Sequence, residues 1–194
     1  MTGKRKLRFR LRVTSELPTT ETPDVILLAL KVEEGSVVFG LFKSEPYKDS
    51  EFGEFKRSHG HWSGRVVLAP SGQFCLSLAG DRHTPHPLAL QLSRELQKRF
   101  SSLVAQIPQG LFEHYLPYKE AVETGIEMGS SFPKIADKVE VWSHVKPAHV
   151  LIEPLKGQWR VEIAFTTDWD IEHTVAAIYS DWQFIELNGS VRGQ

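Results

Sequence analysis

The sequence predicts an α+β fold: a mostly antiparallel sheet, or sheets, with one long amphipathic helix and a shorter helix inserted between N-terminal and C-terminal strands. Three observations point there. Period-two patterns and short apolar runs fill both ends of the chain, 1–82 and 142–190. Sustained helical spacing is confined to the segment between them, 84–126. Strands and helices do not alternate one for one, as repeated βαβ units require. A single domain over 1–194 is the expected organisation.

The elements follow in order. Leu7, Phe9, Leu11 and Val13 alternate with Lys6, Arg8, Arg10 and Arg12, the pattern of a half-buried strand with one cationic face. A Pro/Thr loop leads to the apolar run 25–32, read as a central strand, and Glu-Glu-Gly-Ser turns the chain into a strand at 37–43. Residues 44–61 carry breakers without a period and are read as a long loop. The stretches 62–70 and 73–80 flank Pro70-Ser71-Gly72 as a hairpin. Thr84 can N-cap a helix, with Pro85 at its first position and apolar residues Leu88, Leu92, Leu96, Phe100, Leu103, Val104 and Ile107 along one stripe. Pro108 and Gly110 are expected to end it, and a shorter helix over 111–126 to be disturbed by Pro117. Four strands, 149–155, 158–165, 174–180 and 183–189, complete the chain.

Bulk properties narrow the function classes. Apolar residues make up 41% and charged residues 24%, which is ordinary for a globular domain. A net charge of −1 gives no general attraction to nucleic acid or to an anionic membrane. The single cysteine, Cys75, excludes an internal disulfide; it lies mid-strand and is expected to be inert packing. The basic start lacks an apolar region behind it, unlike a secretory signal, and the longest apolar run, 25–30, is too short to cross a bilayer. The expectation is a cytoplasmic protein. Its five tryptophans are read as core or rim anchors.

Three groups of residues invite a site. In Phe165–Val175, Asp168, Asp170 and Glu172 would share one side of an extended segment, with Trp169, Ile171 and His173 on the other. Alternating carboxylates suit calcium, but a helix–loop–helix calcium loop starting at Asp168 needs glycine at 173 and glutamate at 179, where the chain has His173 and Tyr179. The segment is therefore read as a turn in which Asp side chains accept backbone N–H bonds above a packed Trp169. The second group comes from folding the 62–80 hairpin about Ser71–Gly72. This sets His61 opposite Asp81 or Arg82 and His59 opposite His83 or Thr84, so His59, His61, Asp81 and His83 could meet at the open end, with His86 one turn on. Imidazoles with a carboxylate suit zinc or another divalent metal. The third group is the strip Arg8, Arg10 and Arg12, which could track phosphates but lacks aromatic residues on the same face.

Two stretches carry a resemblance. Trp169, Asp170, Glu172 and His173 form a W-D-x-E-H motif between a strand pair and a closing hairpin, and His61-Trp62-Ser63-Gly64 opens a W-x-G strand pair before a helix. Both resemble small bacterial proteins classed as domains of unknown function, some of which are suspected to be immunity proteins. The resemblance covers about half of the chain and implies no catalytic residues.

The leading expectation is a non-catalytic protein-binding protein, immunity-like, that contacts a protein partner stoichiometrically and needs no cofactor. The rival is a metal-dependent hydrolase using the His59/His61/Asp81/His83 cluster with a divalent metal. A third reading is a nucleic-acid accessory protein acting through the basic first strand.

Overall fold

The structure is a computed structural model, and it describes residues 44–125 and 132–189. The strands expected at 7–13, 25–32 and 37–43, with Arg8, Arg10 and Arg12, lie outside the described residues.

Among the described residues eight strands form one mixed sheet in chain order. They are β1 (Tyr47–Asp49), β2 (Gly53–Ser58), β3 (His61–Leu68), β4 (Gly72–Ala79), β5 (Val145–Leu155), β6 (Gln158–Thr167), β7 (Thr174–Ser180) and β8 (Gln183–Gly189). Two helices, α1 (Pro87–Val104) and α2 (Ile107–Glu123), and a 3₁₀ turn over Glu140–His144 connect β4 to β5.

This overturns the expected fold class. The sheet is mixed, because β4 and β5 pair in parallel, with Cys75 beside His149 and Leu78 beside Ile152. The helical pair carries the chain from the end of β4 back to the end where β4 began, so β5 must run the same way. Nor is there one long helix and a shorter one. The helices have 18 and 17 residues. Pro108, expected as a terminator, sits at the start of α2, where its missing N–H is no loss. Pro117 is accommodated inside α2. Gly110 lets α2 approach β8: a Cβ there would meet the Leu187 Cβ at 3.2 Å.

Two further expectations are corrected. The supposed loop 44–61 holds the β1–β2 hairpin, in which Tyr47 pairs with Phe55. Its turn is made by Asp49, whose Oδ1 accepts from the Glu51 and Phe52 amides at 2.9 and 3.1 Å. Helix α1 begins two residues later than expected. Its N-cap is His86, whose Nδ1 accepts from the Leu88 amide at 3.1 Å. Leu96, Phe100 and Leu103 of the expected stripe are buried, joined by Ala89, Leu90 and Ser93, while Leu88 and Leu92 are half-buried at its edge.

The core lies between this helical stripe and one face of the sheet. Alternate strand residues supply it: Trp62, Val66 and Leu68 from β3, Phe74, Leu76 and Leu78 from β4, Val150 and Ile152 from β5. Further along, β6 adds Val161, Ile163 and Phe165, and β7 adds Val175, Ala177 and Tyr179. The Tyr179 hydroxyl donates to the Leu103 carbonyl at 3.1 Å, so a polar tip in this core is satisfied at the end of α1.

Candidate functional site

The β6–β7 connection, 168–173, is pinned at both ends and at its centre. Thr167 is the last residue of β6 and is buried. Its Oγ1 accepts from the Asp170 amide at 3.1 Å. The Asp170 side chain is only 8% exposed and gathers three donors. Tyr118 donates its hydroxyl to Oδ2 at 2.7 Å, and the His173 amide donates to Oδ1 at 3.2 Å. The His173 ring Nδ1 lies 3.0 Å from the same Oδ1. Trp169 beneath is 2% exposed and donates its indole N–H to His114 Nδ1 at 3.0 Å. Asp168 closes the near end: its amide donates to the His144 carbonyl at 3.0 Å and its Oδ2 faces His144 Nδ1 at 3.1 Å.

Helix α2 supplies the other half. His114 and Tyr118 are four residues apart on one helical face, with ring centroids 5.4 Å apart. Tyr115, one residue from His114, packs its ring edge-on to Trp169 at 5.6 Å. This face exists because α2 continues through Pro117.

The electrostatics follow from this packing. Burial by itself would raise the Asp170 carboxyl, but hydrogen bonds from Tyr118 and His173 and the charge of His173 outweigh it and hold the group below its ordinary value. Burial, with the Asp170 carboxylate as partner, pushes the Tyr118 hydroxyl up to about 12. Burial holds His114 below its ordinary value, which suits a neutral ring that accepts from Trp169.

Between these anchors the chain displays one apolar residue. Ile171 is 89% exposed, the most exposed large apolar side chain among the described residues. Glu172 and His173 beside it are also exposed. An imidazole oriented by a buried carboxylate could pass a proton, but among the described residues no hydroxyl or thiol is hydrogen-bonded to the His173 ring.

The hairpin mouth is arranged differently from the sequence expectation. β3 and β4 pair with His61 opposite Ala79 and Trp62 opposite Leu78. Leu68 pairs with Gly72, so the turn is centred on Pro70 and the strands slide past the expected register. His61 Nε2 lies 2.9 Å from Glu153 on β5. His59 sits in the β2–β3 turn with its Nδ1 at 2.8 Å from Ser58 Oγ. Asp81 Oδ1 accepts from the His83 and Thr84 amides at 2.7 and 2.8 Å, and its carbonyl accepts from Trp62 and Arg57. His86, the N-cap, packs its ring 4.8 Å from that of Trp159. Among the described residues no group of three or more His, Cys, Asp or Glu side chains is placed to hold a metal ion.

Sequence reading missed two imidazole–carboxylate pairs that only strand register could reveal: His61 with Glu153, and His149 with Glu162 at 3.2 Å. It also took Cys75 as packing, whereas the thiol is exposed, because Phe74 and Leu76 on either side take the core face.

A family model described as a domain of unknown function, DUF6985, matches residues 51–192. The chain belongs to the DUF6985 family. The match takes in the sheet from β2 onward, both helices and the β6–β7 connection, and leaves out the arginine strip. No curated protein and no solved structure matches the chain. Among the described residues no helix is long and apolar enough to cross a membrane.

Proposed function

We propose that this DUF6985 chain is a cytoplasmic, bacterial protein-binding protein that acts by stoichiometric contact, in the manner of an immunity protein, and that its contact point is the tip of the β6–β7 connection. The observation that carries this reading is Ile171: a β-branched apolar side chain 89% exposed, directly after Trp169 and Asp170, which are buried and hydrogen-bonded. An apolar group held out on a fixed loop loses little conformational entropy on docking, the property that makes a small epitope effective. The interaction needs no catalytic group, and the Asp170 network then serves to hold the epitope.

The test is site-specific photo-crosslinking in the source cell. A benzophenone amino acid at position 171 should give one dominant adduct. The same probe at Val67, which is 60% exposed on β3, should not give it. The captured protein, purified, should bind the wild-type chain one to one and bind Ile171→Asp far more weakly. Equal crosslinking at both positions, or unchanged affinity of Ile171→Asp, refutes the assignment.

A further inference from the structure

A cleft of about 370 Å³ opens between the C-terminal half of α2 and the segment 132–136. Its apolar walls are Tyr115, Val122, Phe132, Pro133 and Ile135, and its charged groups are Lys119, Glu123 and Lys134. It shares Tyr115 with the packing under Trp169 but none of the residues of the Ile171 tip.

The walls are fixed. Tyr115 is buried, and its hydroxyl donates to the Pro133 carbonyl at 3.0 Å while accepting from the Ile135 amide at 3.2 Å. Its ring stacks on Phe132 at 5.7 Å and 17°. Both polar capacities of the phenol are therefore spent on tying the segment to α2. What faces the cleft is hydrocarbon and aromatic surface, preformed before any ligand arrives.

The charges select the ligand. Lys119 lies 3.9 Å from Glu123, one turn along α2, with Glu123 exposed and Lys119 half-buried. That is a loose pair. Lys134 is exposed, and the ion pairs of the described residues do not include it. Among the described residues of the cleft, two ammonium groups stand against one carboxylate. The two ammonium groups repel a cation and attract an anion. A cavity of this size takes a ligand of about a dozen non-hydrogen atoms. We propose that the cleft binds a small amphipathic carboxylate, its apolar body laid on Tyr115, Val122 and Phe132 and its carboxylate turned toward Lys119 and Lys134. This site is independent of the Ile171 reading.

The experiment titrates the full, isotope-labelled chain with naphthoate and, as an opposite-charge probe of the same shape, naphthylmethylamine, following amide shifts. Naphthoate should bind saturably, with the shifts centred on Tyr115, Val122 and Ile135. The amine should bind at least about tenfold more weakly. Reversing both charges, Lys119→Glu with Lys134→Glu, should weaken naphthoate about tenfold with little change in the thermal midpoint, since Lys134 is exposed and the half-buried Lys119 keeps its side chain 42% exposed. If the double variant does not fold, Lys134→Gln alone should weaken binding about threefold. The proposal is overturned if naphthoate shows no saturable shift up to its solubility limit. It is equally overturned by shifts centred elsewhere, by an amine that binds as well as the acid, or by an affinity that ignores the lysine substitutions.

Discussion

Replacing Asp170 with alanine removes the acceptor at the centre of the β6–β7 connection. Three donors lose their partner: the Tyr118 hydroxyl at 2.7 Å, the His173 amide at 3.2 Å and the His173 ring at 3.0 Å. A hydrogen bond contributes about 1 kcal/mol net, more when the partner left behind is buried and unsatisfied. The His173 ring is discounted, because at 59% exposure water replaces its bond. The amide and the half-buried Tyr118 hydroxyl remain, so Asp170→Ala should cost roughly 2–3 kcal/mol. Asp170→Asn should cost roughly 1 kcal/mol, since its amide oxygen still accepts from His173 and its NH₂ can donate to the Tyr118 oxygen. Urea melts followed by far-ultraviolet circular dichroism, with equal slopes for all three proteins, measure both numbers. An alanine variant within about 0.5 kcal/mol of wild type, or an asparagine variant as costly as alanine, refutes the claim that this carboxylate holds the turn.

Other predictions concern pH, the hairpin and close packing. His114 lies below its ordinary value of 6.5 because burial disfavours the imidazolium; Asp170 opposes this and His173 adds to it. The folded state therefore binds fewer protons than the unfolded one, so this contribution to stability is complete above about 6.5 and is lost as pH falls through the lower folded-state value. His114→Gln, which can still accept from Trp169, should flatten that part of a stability–pH profile; an unchanged slope would remove His114 from the account. The Asp170 contribution has the same sign but is lost at lower pH, below its ordinary value of 3.8. Arg94 on α1 pairs with Asp49 and Glu51 and covers the Phe52 ring at 5.5 Å, so Arg94→Ala should cost about 1–3 kcal/mol in a denaturant melt and expose the β1–β2 hairpin to proteolysis first. Gly64→Ala would put its Cβ 2.6 Å from the buried Phe55 ring and should cost about 1–3 kcal/mol. Gly80→Ala should cost more, because its Cβ would strike the backbone of Thr84 and Pro85 rather than a side chain.

Local patterns gave the C-terminal strands, because each keeps its apolar residues in step with one sheet face: Val161, Ile163 and Phe165 point inward while Arg160, Glu162 and Thr166 do not. What failed was non-local. The direction of β5 depends on where the helical pair returns the chain, and no residue of β5 records that. The hairpin register turned on whether Gly72 belongs to the turn or to the strand, and the observed register sets His61 opposite Ala79 rather than Asp81 or Arg82. Proline was misread at Pro108, since a helix tolerates it in its first turn. The W-D-x-E-H stretch was visible as a motif. Its partners His114 and Tyr118 were not, because they come from an element more than fifty residues away.

The proposed role of the β6–β7 tip is that of a held, apolar contact point for a protein partner. Its most direct measurement is the calorimetric affinity of the protein captured at position 171 for wild type and for Ile171→Asp, with both chains shown to melt alike. The account predicts one-to-one binding and a loss of about a hundredfold or more on substitution. Equal affinities for the two chains would contradict it.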